Sequence, residues 1–500
     1  MDISNINTLK NKDMSIVNLE PKIVWEIFNE ITQIPRPSKR EERMIAFIEL
    51  FAQRYNLKYK KDNVGNIVIF KSAMGSGKGK PTIILQSHMD MVCEKNSEVN
   101  FDFMNDAIQT YIDNGWVKAK GTTLGSDDGI GLAMELAILA SDTIEHPNIE
   151  ALFTIDEETG LTGAYNLSSN MLTGKYLINL DSEDEGEVFI GCAGGIDTIA
   201  RFEYKKESLP KEYIWFRIDI TGLQGGHSGS DINKGRANAN KILTRLLIHG
   251  EREYRLRMSI FDGGNLRNAI PREAYAIIGI PEKNADKFEI YCLEFISSIN
   301  KEFTNRDIIK VDIKKCQKPE FIFDLKTQNN LLRSIQGVPN GVIEMNSSIP
   351  DLVETSSNLA SVKIEKNSIV VISSQRSSVS SAKSDIAGSV ESIFLLAGAE
   401  VSHSDGYPGW TPDTHSQLLD IAKDSYKRLF KIEPAVKAIH AGLECGLFLS
   451  KYPDLDMISI GPTIKAAHSP DEKLEIDSVN KFWLFLLELL KTFGNKEYPK

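Results

Sequence analysis

The chain has 500 residues, 41% of them apolar, enough to bury a large core and to divide into two or more domains. Its 58 basic and 69 acidic residues leave a formal charge of −11, which argues against nucleic acid or an anionic membrane as main partner and leaves room for an acidic cleft that binds cations. The five cysteines (Cys93, Cys192, Cys292, Cys316, Cys445) include no CxxC pair, so they read as reduced thiols rather than a disulfide framework or a structural zinc site.

The opening stretch "MDISNINTLKNKDMSIVN" lacks the apolar segment of a secretion signal, and no apolar run reaches membrane-spanning length. A soluble, unexported, cytoplasmic protein is expected. Apolar residues then recur every three or four positions in "PKIVWEIFNEITQI" and "REERMIAFIELFAQRY", which predicts two amphipathic helices. Two β-type runs follow, "NIVIF" and "TIILQ", joined by "KSAMGSGKGKP". That joint lacks the spacing of a phosphate loop and is expected to be a solvated hairpin loop.

From Pro81 strand and helix alternate: "TIILQ", the helix "GIGLAMELAILASD", the strand "IEALFTI", a short helical piece and the strand "KYLINL". This is the pattern of an α/β domain with a mostly parallel sheet. "GCAGG", Gly191 to Gly195, breaks the rhythm. Beyond it "EYIWFRIDITG", the helix "NKGRANANKILTRLLIHG", further strands and a second helix suggest a smaller α+β domain, with a repertoire that recurs between Asp307 and Glu400. After "GYPGW" a helix, the strand "DMISI" and a last helix return to the first pattern. The expected division is a discontinuous domain, 1–194 and 409–500, with an inserted, possibly duplicated, domain at 195–408.

Ligands of open α/β sheets bind beyond the carboxyl ends of the strands, so the residues ending each apolar run carry the functional signal. "TIILQS" ends in His88, with Asp90 two residues on; Asp127 and Asp128 precede a helix; "ALFTI" ends in Asp156, Glu157 and Glu158; "YLINL" ends in Asp181; "MISIGPTIKAA" leads to His468. Any one of these is ordinarily a helix cap or a solvated loop residue. Five segments delivering carboxylates or imidazoles to one rim point instead to borderline divalent ions such as Zn²⁺, and paired ions about 3.5–4 Å apart need a carboxylate to bridge them. Of the other histidines, His227 in "GLQGGHSGSD" is flanked by glycines that let a ligand approach, His440 is ambiguous, and His146, His249, His403 and His415 read as surface or packing residues.

"SHMDMV", "GTTLGSDDGIG", "DEETGLTGA", "LINLDSEDEGEVFIGCAGG" and "AAHSPDE" together resemble the co-catalytic di-zinc aminopeptidase and aminoacylase clan of metallopeptidases. Within it the chain is similar to the aminoacyl-histidine dipeptidase (cytosol non-specific dipeptidase) family, through "GGHSGSDI", "NLRNAIPREA", "RSSVSSAK" and "HAGLECGLF", almost to both ends; only residues to about Ile16 look like an extension. The resemblance implies an α/β zinc-peptidase catalytic domain with a mixed, mostly parallel sheet, and an inserted α+β lid and dimerisation domain. It implies two Zn²⁺ per subunit, with Co²⁺ or Mn²⁺ as substitutes: Asp127 as bridge, His88 and Asp181 on one ion, Glu158 and His468 on the other. Glu157 becomes the general base toward a zinc-bridged water, Asp90 the partner of the far nitrogen of His88, and Asp128 a supporting residue behind a cis Asp127–Asp128 bond. His227 stabilises the oxyanion, in dimeric relatives from the partner subunit, while Asn268 and Arg376 contact substrate, the arginine pairing with its C-terminal carboxylate.

The activity implied is hydrolysis of unblocked dipeptides, Xaa-His among a broad range, by a homodimer joined through the inserted domain. Two rivals are a related N-acyl amino acid deacylase or tripeptide aminopeptidase, and an inactive metal-binding interaction protein. Intact Asp90, Glu157 and all five ligand positions weigh against the second.

Overall fold

In the helix Lys22–Thr32, Val24, Trp25, Ile27, Phe28 and Ile31 fall on one face and all are buried. Removing such a face from water contributes about 1.5–3 kcal/mol per side chain, far more than helix propensity does. The helix Ser126–Ala140 is different: every residue from Asp128 to Leu139 is buried, including its polar ones, as befits a helix enclosed on all sides. The computed structural model describes residues 15–495, so nearly all of the extension expected up to about Ile16 lies outside the described residues.

The chain divides into two units. One runs to Gly191 and takes in Pro412–Ala438 and the chain from Glu444 on; the other comprises Cys192–Thr411 and Ile439–Leu443. The first unit is built on an eight-stranded sheet in the order Lys58–Lys61, Ile67–Lys71, Ile149–Thr154, Ile83–His88, Tyr176–Asn179, Asp456–Ser459, Glu187–Cys192, Ala435–Ile439. Its four central strands, Ile149–Thr154 to Asp456–Ser459, are mutually parallel and flanked by antiparallel neighbours. Parallel strands are covered on both faces, which is why "IILQSH" and "IEALFT" are buried at every position. In register, His88 lies opposite Thr154 and Gln86 opposite Asn179, so the carboxyl ends of three strands meet at one edge.

The second unit holds a largely antiparallel sheet in the order Lys310–Lys315, Tyr213–Thr221, Ala274–Pro281, Arg257–Gly263, Val353–Ile364, Ser368–Ser377, Gly194–Glu203, Glu400–His403. Strands from both halves of its sequence share one core with helices Ala239–Tyr254, Glu282–Glu302, Leu325–Gly337 and Ser380–Leu396. The α/β architecture with a second, α+β unit is as the sequence suggests. The first of these helices starts later than its sequence pattern, because Asn238 takes the N-cap and accepts hydrogen bonds from the amides of Asn240 and Lys241. No helix among the described residues is long and apolar enough to cross a membrane.

One local expectation fails. The strands Ile67–Lys71 and Ile83–His88 are not a hairpin, since Ile149–Thr154 lies between them, antiparallel to one and parallel to the other. The glycine-rich joint therefore crosses over a strand, and its Gly77 is buried; Met74 pairs with His146. A Cβ on Gly77 would stand 2.1 Å from the His146 carbonyl oxygen and 2.4 Å from the Pro147 nitrogen. Gly77→Ala should destabilise the protein by about 1–3 kcal/mol, read as a lower urea midpoint, whereas Lys78→Ala on the exposed side should stay within about 0.5 kcal/mol.

Candidate metal centre and active site

The six rim residues arrive from five segments of the first unit, and the fold brings them together. His88 ends its strand, Asp127 opens the helix Ser126–Ala140, Glu157 and Glu158 open the short helix Glu157–Gly160, and Asp181 follows the strand Tyr176–Asn179. His468 sits in a loop, in the left-handed backbone region, after the two-residue strand Ile464–Lys465 of a separate four-stranded sheet. The carboxylate of Asp127 lies between the two imidazoles, Oδ1 3.1 Å from His88 Nε2 and Oδ2 3.1 Å from His468 Nε2. Asp181 Oδ1 is 3.5 Å from His88 Nε2, and Glu158 Oε2 is 3.0 Å from His468 Nε2. Glu157 offers an oxygen within 4.8 Å of both His88 and Glu158.

These spacings suit divalent ions. Ligands about 2.0–2.2 Å from a tetrahedral ion stand roughly 3.3–3.6 Å from one another, close to the separations observed. Two three-residue sets, His88, Asp127 and Asp181, and Asp127, Glu158 and His468, share Asp127. Glu158 Oε1 is buried without a hydrogen-bond partner, an unmet acceptor of the kind a cation satisfies. Protonation tells the same story: burial and mutual repulsion raise the pKa values of Asp181, Glu157 and Glu158. Burial pushes Asp181 up to about 7, reinforced by Asp127, and drives Glu157 well above the carboxylate range, with Asp181 and Glu158 adding to it. Asp127 and Glu158 draw His468 up to about 11. Burial opposes a charged His88, yet Asp181, Asp127 and Asp90 outweigh it and raise its pKa well above the usual value.

A ring of supporting groups fixes the ligands, and Asp90 is the centre of it. Its Oδ1 lies 3.4 Å from His88 Nδ1 and accepts from the Glu157 amide at 3.0 Å, while Oδ2 accepts from the Ser38 hydroxyl at 2.7 Å and the Glu158 amide at 3.3 Å. Burial alone would raise its pKa, but His88 and these donors hold it at about 2. The Asp127–Asp128 peptide is cis, and the Asp128 carboxylate turns back to accept from the Gly131 amide at 3.2 Å. Of the two aspartates, Asp127 is the one in contact with both histidines.

Two supporting residues escaped the sequence reading. Glu472, four residues after His468, accepts from the amides of Leu124, Gly125 and Ser126 and from the Ser126 hydroxyl, all at 2.6–3.0 Å. It ties the loop carrying His468 to the one carrying Asp127. The buried guanidinium of Arg36 donates to the carbonyls of Met89, Asp90 and Gly125. "AAHSPDE" shows an acid near the histidine, but only the folded loop shows what it holds.

In the second unit, the strand Gly226–His227 pairs with Ala269–Ile270, and the Ser228 amide donates to the Asn268 carbonyl at 2.8 Å. His227 Nδ1 accepts from the amides of Gly229 and Ser230 at 3.2 and 3.1 Å, which leaves the ring proton on Nε2. Burial, with Arg376 nearby, lowers its pKa and keeps the ring neutral. Asn268 is exposed in a loop. Arg376 is 7% exposed, its Nη1 donates to the Tyr407 hydroxyl at 2.8 Å, and its Nε is buried without a partner. His440 lies in the same unit, buried, with Nε2 2.7 Å from the Ser356 hydroxyl; burial and Arg376 push it down to about 3. Of the histidines read as packing or surface residues, His146 is fully buried against the Pro147 carbonyl and His249 stacks on Tyr291.

The sequence profile of the peptidase family M20/M25/M40 matches residues 84–492. The chain is 41% identical over 481 residues to the cytosol non-specific dipeptidase of Escherichia coli (strain K12), covering 96% of this chain and 99% of that protein. It is similar to the crystal structure of the aminoacylhistidine dipeptidase of Vibrio alginolyticus, with a TM-score of 0.88 and 42% identity over 96% of this chain and 98% of the other. The aminopeptidase PepT of Bacillus cereus shares the fold at a TM-score of 0.56 and 15% identity, over 95% of this chain and 99% of the other.

Glu472→Ala should weaken divalent-metal binding by about 10–100-fold, the usual cost of losing a group that orients a ligand. Competition with a chromophoric chelator measures it. Unchanged affinity would leave Glu472 a purely structural tie.

Proposed function

The chain belongs to peptidase family M20/M25/M40, and on that premise we propose that it is a cytoplasmic di-metal dipeptidase that hydrolyses unblocked dipeptides, Xaa-His among them. The observation that carries this reading is the Asp127 carboxylate, with one oxygen 3.1 Å from each of two histidines that also face Asp181 and Glu158. His88 and Asp181 would hold one ion, Glu158 and His468 the other, and Asp127 both; the nitrogen and oxygen donors suit Zn²⁺, or Co²⁺ and Mn²⁺ in its place. Bound there, the ions would supply Lewis-acid polarisation of the scissile carbonyl and a more acidic water.

The remaining work falls to the protein's own groups. Glu157 is the general base: its carboxylate, within 4.8 Å of His88 and Glu158 and outside the two sets that share Asp127, takes the proton of the attacking water and passes it to the leaving amine. Asp90 fixes both reactants of that step, orienting His88 through Nδ1 and holding the Glu157 amide. Neutral His227, its proton on Nε2, is a hydrogen-bond donor to the developing oxyanion. Asn268 contacts the substrate, and Arg376 takes its C-terminal carboxylate with a guanidinium whose Nη1 donates to a neutral phenol, that of Tyr407. The chain acts as a homodimer through the second unit, which sedimentation at assay concentration tests.

Activity on free dipeptides should vanish with a strong chelator and return with added Zn²⁺; faster cleavage of N-acetyl amino acids or of tripeptides would favour a deacylase or a tripeptidase instead. Glu157→Gln should lower kcat by about 10²–10⁴-fold while metal content, measured by atomic emission, stays near normal. A metal-free variant would make Glu157 a ligand. Arg376→Ala should cost a charge-assisted hydrogen bond, about ten- to a hundredfold in kcat/KM for Xaa-His, and much less for the corresponding dipeptide amide.

A further inference from the structure

Two glycine-rich motifs remain without a role in that mechanism, "GCAGG" and "GYPGW", and the fold brings them together. In the ladder between Gly194–Glu203 and Ser368–Ser377, Arg376 stands directly opposite Gly195. On its other side Gly195 pairs with Tyr407, through Gly195 N–H to the Tyr407 carbonyl at 3.1 Å and Tyr407 N–H to the Gly195 carbonyl at 2.8 Å. The three residues thus lie in one row, two on neighbouring strands and Tyr407 on an isolated bridge, with the middle side chain missing.

The missing side chain is the point. The ring of Tyr407 lies over Gly195: a Cβ built there would be 2.7 Å from three atoms of the Tyr407 side chain, the hydroxyl included. A second glycine, Gly442, borders the ring, where a Cβ would stand 2.8 Å away. Aromatic rings commonly cover a cross-strand glycine in this way. Here the ring's far end meets a charge, because the Tyr407 hydroxyl accepts from Arg376 Nη1 at 2.8 Å. Lys383 also donates to the Tyr407 carbonyl, fixing the backbone that carries the ring.

Arg376 needs such a holder. It is buried, its Nε has no partner, and the phenol is a neutral acceptor that restrains the guanidinium without neutralising it. A carboxylate in that place would compete with an anionic ligand; a phenol does not. We propose that Tyr407, laid across the gap left by Gly195, is the positioning residue that holds Arg376 for the C-terminal carboxylate of the substrate. This rests on the reading of Arg376 given above.

The test compares Xaa-His with its C-terminal amide in wild type, Arg376→Ala, Tyr407→Phe, Gly195→Ala and the double variant Arg376→Ala/Tyr407→Phe. Tyr407→Phe keeps the ring and removes only the hydroxyl, so KM for the acid should rise about three- to tenfold, the worth of one hydrogen bond, with KM for the amide and the melting temperature unchanged. Gly195→Ala, which displaces the ring, should show the same selectivity. In the Arg376→Ala background the Tyr407→Phe change should have no further effect. If Tyr407→Phe alters neither substrate, or both alike, while Arg376→Ala remains selective, Tyr407 is packing and the proposal falls with the carboxylate reading intact. If Arg376→Ala is itself unselective, that reading falls and the role of Tyr407 falls with it.

Discussion

The contacts of one carboxylate, Asp90, determine whether the acidic rim can exist as a site at all. Asp156, Glu157 and Glu158 are consecutive, and like charges so placed repel. The fold separates them by giving each a different direction. Asp156, in the left-handed backbone region, turns away into the hydroxyls of Thr159 and Thr162, while its amide donates to Glu41. The amides of the next two residues donate to Asp90, so both oxygens of that carboxylate are engaged by the chain they orient. Glu157 and Glu158 then open one short helix as neighbours that can have different partners.

Beneath the rim the same economy continues as a buried polar network. Gln86 donates to Glu444 Oε2 at 2.6 Å and Asn179 donates to Gln86 at 2.6 Å, while the Ser459 hydroxyl donates to Asn179. Thr154 adds a hydroxyl to Glu444 at 2.8 Å. These side chains come from four adjacent parallel strands and a helix, two residues or fewer below the strand ends in the case of Gln86 and Thr154. Burial pushes Glu444 up to about 8, and the acids around His88 reinforce it. A neutral carboxyl here adds no further negative charge under an already acidic edge. The cost of burying these polar groups is offset by their hydrogen bonds to one another, although both donors to Glu444 reach Oε2 and leave Oε1 without a partner.

How much of this was legible in the sequence depends on the kind of signal. Alternating strand and helix gave the α/β sheet, since parallel strands covered on both faces write themselves as unbroken apolar runs. Residues at the ends of those runs, His88, Glu157, Glu158 and Asp181, could be gathered onto one edge by topology alone. His468 followed less directly, because a turn and a two-residue strand of another sheet stand between "DMISI" and the histidine. The joint at Gly75 to Lys80 was misread, for a glycine-rich linker looks the same whether it closes a hairpin or crosses a strand. Glu472, Arg36 and Tyr407 were not legible at all: each acts through backbone or side-chain atoms far away in sequence, and no local pattern marks such a partner.

The two units differ in how they manage buried charge. In the first, several carboxylates crowd two imidazoles, an excess of negative charge that cations can satisfy. In the second, Arg376 donates to a neutral phenol and, with burial, lowers the pKa values of His227 and His440, so its positive charge stands without a carboxylate partner among the described residues.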